Sequence, residues 1–319
     1  MRRFAAFMAL AAATFVAAAQ SFPDRPIRII VPLPPGGSPD TIARVLSPAL
    51  QAAWSQPVIV ENRTGGSQNI GADAVAKSAP DGYTIGLAAA GALSSNVSLY
   101  PSMPYQPEKD LAPISMLAMT PFVLVANPSL PVANLHELIS LAKTKPGALS
   151  YGHGGNASAM HLSGELLKMM AGIELLAVPY KGSGPVAADV LGGQVPLGIV
   201  DVPSAIANIR TGKLRALAVT TARRAAALPE VATFAEAGVP GYESIGWFGA
   251  IAPANTSSEK INILNREIVA ALSVPEIRSR VLAAGAEPAP GTPQEFADFM
   301  RAETRKWREV IRTAKIKAE

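Results

Sequence analysis

Between Ile27 and Asp40 the chain reads Ile-Arg-Ile-Ile-Val-Pro-Leu-Pro-Pro-Gly-Gly-Ser-Pro-Asp, and few folds accommodate that order. Ile27, Ile29, Ile30 and Val31 supply the β-branched run of a buried strand. Pro32, Pro34 and Pro35 stop it, and Gly36-Gly37 permits a sharp turn. Ser38 stands where an N-cap belongs, Pro39 suits a first helical turn, and Asp40 complements the positive end of a helix dipole. Amides free of side-chain cover then point beyond the strand, an arrangement that holds anions. The same residues also make an ordinary strand-to-helix turn, so the rest of the chain has to decide.

The N-terminus sets the compartment. Arg2 and Arg3 precede an uncharged stretch from Phe4 to Ala18, and Ala17-Ala18-Ala19 before Gln20 fits a small-residue cleavage site. This pattern predicts a secretory signal peptide over 1–19 and a periplasmic protein cleaved near Ala19; the alternative is a buried N-terminal helix. The flanks of Arg2-Arg3 fit twin-arginine export poorly. The chain has no cysteine, which excludes a lipid anchor, disulfides and thiolate chemistry. Of 319 residues, 300 remain after Ala19, and the formal charge drops from +4 to +2. That balance, without a basic stripe interleaved with aromatics, argues against nucleic acid as a partner. No second apolar run approaches ~20 residues. Charged residues are only 16% of the chain against 49% hydrophobic, which suits a wide core that needs no disulfides, in one large domain or two lobes.

Along the chain, strands alternate with helices. Helical spacing runs over Thr41 to Ala53, Pro57 to Glu61 is a short buried strand, and Arg63 to Asn69 is a glycine-rich loop before a helix from Ile70 to Ala79. Tyr83 to Leu87 is a strand, and Ala88 to Ser95 a small-residue loop. Pro121 to Asn127 begins a new strand, and Leu135 to Lys143 is a helix. The opening device then recurs. Gly152 to Ser158 is a loop before a helix from Ala159 to Met170. Pro179 to Gly184 is another, between a strand from Leu175 to Val178 and a helix from Pro185 to Leu191. Val195 to Val200 is a strand, with Ser204 as a cap for the helix to Ile209, and Leu214 to Val219 is strand-like. Gly246 to Pro253 reads as a strand returning to the first lobe. Helices follow at Ser257 to Leu272, Pro275 to Ala284 and Gln294 to Ala314, the last capped by Thr292, with Glu295, Glu303 and Arg305 on solvated faces. The alternation predicts an α/β fold with a parallel sheet, whose ligands collect at the carboxyl ends of strands. Helix N-termini facing each other across a cleft would hold an anion without an arginine, each worth ~0.3–2 kcal/mol.

Nine segments in order resemble the Bug family of periplasmic solute-binding proteins, some of which serve tripartite tricarboxylate transporters. They are Pro26-Ile27-Arg28-Ile29 through Pro35-Gly36-Gly37-Ser38 and Asp40; Gln56-Pro57-Val58 with Glu61-Asn62-Arg63; Pro80-Asp81-Gly82-Tyr83-Thr84; His161-Leu162; Val178-Pro179-Tyr180-Lys181-Gly182; Leu191-Gly192-Gly193-Gln194-Val195; Gly212-Lys213-Leu214-Arg215-Ala216-Leu217-Ala218-Val219; Glu236-Ala237-Gly238; and Trp247-Phe248-Gly249. The resemblance covers essentially the whole chain after residue 19. It implies a two-lobed periplasmic binding protein of the type II, Venus-flytrap kind. Lobe one would be 20–121 with 251–319, and lobe two 122–250. It further implies a small carboxylate ligand (a di- or tricarboxylate, an acidic amino acid or an aromatic carboxylate), no cofactor and no metal, a monomer, and a membrane permease as partner. A sensor kinase is the alternative partner. Carried over by position, the ligand residues are Pro35, Gly36, Gly37, Ser38 and Asp40; Gly66, Ser67 and Asn69; Ala89, Ala90 and Ala92; His153, Gly155, Asn156, Ser158 and His161; and Lys181, Gly182 and Asp201. Asp201 would meet an amino or polar group of a ligand, or serve only as a helix N-terminal charge.

Three departures from the family pattern stand out. Ala88 to Ala92 lacks the usual hydroxyls, His153 replaces a small hydroxyl residue, and Leu33 replaces an aromatic one. They point to a ligand less symmetric or less charged than citrate, with His153 donating to it or covering it; a loop-capping His153 is the other reading. An enzyme is the rival class, and the sequence offers it little. Gly65-Gly66 with Gly71 has the wrong spacing for a dinucleotide loop. P-loop and nucleophile-elbow patterns are missing, and His136-Glu137 lacks the second histidine of a zinc helix.

Overall fold

A computed structural model describes residues 22–317, so the expected signal peptide lies outside the described residues. The elements are β1 (Ile27–Val31), α1 (Ser38–Trp54), β2 (Val58–Asn62), α2 (Asn69–Ala76), β3 (Thr84–Ala89), α3 (Asn96–Leu99), α4 (Pro107–Asp110), β4 (Leu111–Ala126), α5 (Leu135–Thr144), β5 (Ser150–His153) and α6 (Ala159–Ala171). They continue with β6 (Leu176–Pro179), α7 (Ser183–Leu191), β7 (Leu197–Asp201), α8 (Val202–Arg210), β8 (Arg215–Val219), β9 (Ile245–Pro253), α9 (Ser258–Ser273), α10 (Pro275–Ala283), β10 (Glu287–Pro288) and α11 (Pro293–Ala314). Among the described residues no helix is long and apolar enough to cross a membrane.

The strands are ordered β2-β1-β3-β9-β4-β7-β5-β6, with β8 and β10 pairing β4. β1 lies parallel between β2 and β3, and β5 parallel between β6 and β7. These are the two parallel sets that the alternating pattern predicts. A wholly parallel sheet is not what forms, however. β9 and β4 run antiparallel through the middle and join the sets into two α/β lobes. Nor does a new strand begin at Pro121. β4 is continuous, pairing β9 up to Pro121 and β7 from Phe122. Pro121 stands where the strand changes neighbours, a position that tolerates a residue without an N–H. β2 is not fully buried either: Val58 is covered but Ile59 is half exposed, as expected at a sheet edge.

Ile27, Ile42, Leu46, Leu50 and Leu264 pack on one face of the first set, and Ile30, Val75, Trp247, Phe296 and Met300 on the other. Around the second set, Leu124, Leu166, Ile199 and Phe234 form one core and Val123, Val186, Val190 and Val200 the other. α11 serves both halves of the molecule. Its first turns bring Phe296 and Met300 to one core, and its later turns bring Trp307, Val310 and Ile311 to another. Thr292 caps the helix as its sequence predicts, and Glu295, expected only on a solvated face, completes a reciprocal capping box with it. Glu303 is not on a solvated face. It is 4% exposed and accepts from the indole Nε1 of both Trp247 (3.1 Å) and Trp307 (2.8 Å). A glutamate at helical spacing looks solvated until two tryptophans from different elements turn toward it.

Candidate functional site

A cavity of about 700 Å³ opens between the lobes. Its walls are the ends of β1 and β3 on one side and the segments leading into α6 and α8 on the other; β4, β9 and α11 form its floor.

On the first wall, Pro32, Leu33, Pro34 and Ser38 line the cavity. Ser38 is not the cap of α1. That position is Gly37, which makes no side-chain cap bond, and the Ser38 hydroxyl donates to the Ala284 carbonyl at 3.1 Å. Asp40 does the local work instead. Its buried carboxylate accepts from the Gly36 amide (2.9 Å), from Arg44 (3.0 Å) and from Asn62 (2.9 Å), which fixes the proline-glycine turn. Burial pushes its pKa up, but the hydrogen bonds from Arg44, Gly36 and Asn62 outweigh this and hold it below the usual value. Asp40 lies behind the wall, and Pro35, Gly36 and Gly37 are exposed outside it.

The second segment of that wall is strained. Gly65, Gly66, Ser67 and Gln68 have φ of +118°, +53°, +50° and +79°, four left-handed residues in succession. Ser67 and Gln68 are not glycine, and each costs ~1–2 kcal/mol there. Asn96 holds the segment by donating to the Ser67 carbonyl and to Asn69 Oδ1, both at 2.9 Å, and Tyr100 donates to the Ser67 hydroxyl. Ser67 lines the cavity, Gly66 stands beside it, and Asn69 is buried behind it. Strain held by dedicated partners at a cavity wall is the pattern of a functional loop.

The stretch Ala88 to Ser95 is not a loop. β3 runs to Ala89, and a π-helical turn over Gly91–Ser95 leads into α3. Ala89 and Ala90 reach the cavity, whereas Ala92 is wholly buried and its carbonyl accepts from Tyr105 at 2.7 Å. Small residues with no proline among them gave the chain nothing to stop it.

On the opposite wall, Asn156, Ala157, Ser158 and Ala159 line the cavity. Ser158 caps α6 by accepting from the His161 amide at 3.2 Å, and Ala157 has a φ of +58°. His153, at the end of β5, is fully buried and does not reach the cavity; nor do Gly155 and His161. Lys181 is exposed and Gly182 caps α7, both away from the cavity. Asp201 lines the cavity and also caps α8, with Oδ1 accepting from the Ser204 amide at 3.0 Å. Ser204 is therefore the third residue of that helix and not its cap.

The floor contains residues to which the sequence assigned no role. Leu99, Tyr100, Thr120, Phe122, Leu162, Ile245, Trp247, Phe248 and Trp307 line it. Trp247-Phe248-Gly249 stood among the resembling segments, but Tyr100, Thr120 and Trp307 belong to no motif, and only the three-dimensional crossing of β4, β9 and α11 gathers them. No lysine, arginine or histidine side chain lines the cavity among the described residues. Ser38, Gln68, Ser158 and Asp201, which begin or cap α1, α2, α6 and α8, all line it, so four helix N-termini border one space, with the Asp201 carboxylate among them. The described residues hold no cluster of metal-ligating side chains.

The family model described as the tripartite tricarboxylate transporter family receptor matches residues 42–316. The chain belongs to that receptor family. It is 42% identical to protein BugT of Bordetella pertussis over 307 residues, 96% of this chain and 94% of the relative. Among solved structures it resembles R. palustris Rpa4515 with adipate (39% identity, TM-score 0.77, 93% of this chain and 99% of that one). It also resembles the periplasmic binding protein BugD (32% identity, TM-score 0.74, 93% and 100%). The receptor is thus a two-lobed α/β solute-binding protein, as the resembling segments imply.

Proposed function

We propose that this receptor is exported to the periplasm, captures a small dicarboxylate with an apolar body, and delivers it to a tripartite tricarboxylate-type permease. One observation carries the reading: four helix N-termini and two left-handed loop segments from both lobes border one cavity that, among the described residues, no cationic side chain lines. Such a site holds carboxylate oxygens by amide dipoles and hydroxyls. The indole and phenyl faces of Trp247, Phe248, Phe122 and Trp307 leave the middle of the space apolar, which suits a methylene chain better than the three charges of citrate. The neighbour solved with adipate supports the same length and polarity. In this reading Ser38, Ser67, Ala89, Ala90, Asn156 and Ser158 meet the ligand, and Asp201 faces a hydroxyl or amino group on it. In the same reading the chain passes from one lobe to the other at 121–122 and back at 250–251, and each lobe contributes one wall.

The test is a thermal-shift series on the chain from Gln20, unfolded and refolded to strip carried-over ligand, with unbranched C4 to C8 dicarboxylates, citrate, acidic amino acids and nicotinate. A ligand at 100 times its dissociation constant adds about 2.7 kcal/mol. The expected result is a shift that peaks with the longer dicarboxylates. A peak with citrate, or no shift with any carboxylate, overturns the proposal.

A further inference from the structure

His153 and His161 do not line the cavity, yet together they hold the backbone that does. Their rings are stacked, 4.2 Å between centroids and 8° from parallel. His161 Nδ1 accepts the Ala157 amide at 3.0 Å, and Ala157 is the left-handed residue of the second wall. His153 Nδ1 lies 2.9 Å from the Gly155 carbonyl and 3.3 Å from its amide, and Gly155 has a φ of +128°. Each imidazole is therefore bonded to one of the two backbone positions that turn Gly154 to Ser158 toward the ligand space.

The bond from Ala157 requires a bare Nδ1, so the proton of His161 sits on Nε2, which points at Glu165 Oε1, 3.7 Å away. His153 Nε2 is buried with no partner among the described residues. The groups that act on the pair are each other, Glu165 and Lys168 from α6, and Tyr151 from β5, whose hydroxyl donates to Glu165 at 3.0 Å. Burial disfavours a charged His161 most strongly and Lys168 adds to it, which outweighs the attraction of Glu165 and holds the pKa below its usual value. Two parallel imidazoles in contact cannot both take a proton without repulsion.

We propose that His161, backed by His153, is a positioning residue that fixes the α6-side binding loop only while neutral, so that ligand release is coupled to proton uptake. The proposal rests on the carboxylate-receptor reading for its ligand but not for its mechanism. Proton addition at Nδ1 replaces an acceptor by a donor and the Ala157 amide loses its partner, so its left-handed backbone keeps the bond from the Ser158 amide to the Gly155 carbonyl (3.1 Å) but loses the side-chain hold on the loop.

Two measurements test it. The first needs no ligand: amide hydrogen exchange at Ala157 followed by NMR from pH 7.5 to pH 5. Protection is expected at pH 7.5 and lost toward pH 5 in the wild type. It should persist at pH 5 in His161→Asn, whose Oδ1 occupies the place of Nδ1 and does not titrate. Protection that is absent at pH 7.5, or that is equally pH-dependent in His161→Asn, overturns the proposal. The second is adipate affinity over the same range. Wild type should weaken by up to about tenfold per pH unit below the histidine pKa, while His161→Asn follows only the shallower trend of the ligand's own carboxylates. His161→Ala should bind weakly at every pH. Parallel profiles in wild type and His161→Asn overturn the coupling. If adipate fails to bind at any pH, the functional reading falls, and the exchange measurement still decides the role of His161.

Discussion

One oxygen of Glu303 accepts from two indoles whose rings floor the cavity. Glu303→Leu leaves both N–H groups buried without an acceptor, at ~1–3 kcal/mol each. Urea unfolding should then show a loss of roughly 2–6 kcal/mol, whereas Glu303→Gln, which keeps an acceptor, should lose much less; equal losses would mean that the charge matters and the bonds do not. His153 yields a second expectation at this scale. Burial, then the neighbouring His161, lower its pKa from 6.5 to about 4. The unfolded chain therefore takes up a proton first as the pH falls. The contribution of this group to stability is complete above pH 6.5, declines between 6.5 and 4, and is flat below; at about 1.4 kcal/mol per unit it amounts to roughly 3 kcal/mol. Urea midpoints measured from pH 7.5 to pH 4 should fall less steeply in His153→Gln than in wild type. Parallel curves would assign the acid loss to other groups. The role of Glu303 was not legible in the sequence, because a lone glutamate in an amphipathic helix carries no mark of what faces it. His153 was legible as a loop-capping residue, one of two readings, but not as a buried one.

At the scale of elements, local chemistry was legible wherever it acts within a few residues. The β-branched run of β1, the proline in the first turn of α1 and the Thr292 cap of α11 stand where the sequence puts them. What it could not convey is direction and continuity. β9 is as apolar as a parallel strand, and only its pairing with β3 and β4 reveals it as antiparallel. The pattern of small residues on β9 acquires its reason in the same way. A Cβ added to Gly249 would lie 1.9 Å from Phe296 Cζ, because the ring of α11 sits flush on the strand. Gly249→Ala should therefore cost at least ~1–3 kcal/mol by overpacking, with part of the loss recovered in the double variant with Phe296→Leu. A double-mutant cycle measures this directly, and strict additivity would deny the contact its role.

The whole molecule is joined by more than a hinge peptide. β4 and α11 each belong to both halves, and the cavity floor is built where they meet β9. A ligand touching both walls favours the arrangement that brings them together by its differential affinity for it. The shared elements make each lobe's core depend on the other: Trp307 and Ile311 cannot leave one core without disturbing the helix that places Phe296 in the other. Calorimetric unfolding should accordingly show one transition, with calorimetric and van't Hoff enthalpies equal. A saturating dicarboxylate should move that transition as a unit, by the amount mass action sets. Two transitions, only one of them displaced by ligand, would mean that the lobes are independent units and that a single wall does the binding. One displaced transition would tie the two walls to a common ligand through the strand and the helix they share.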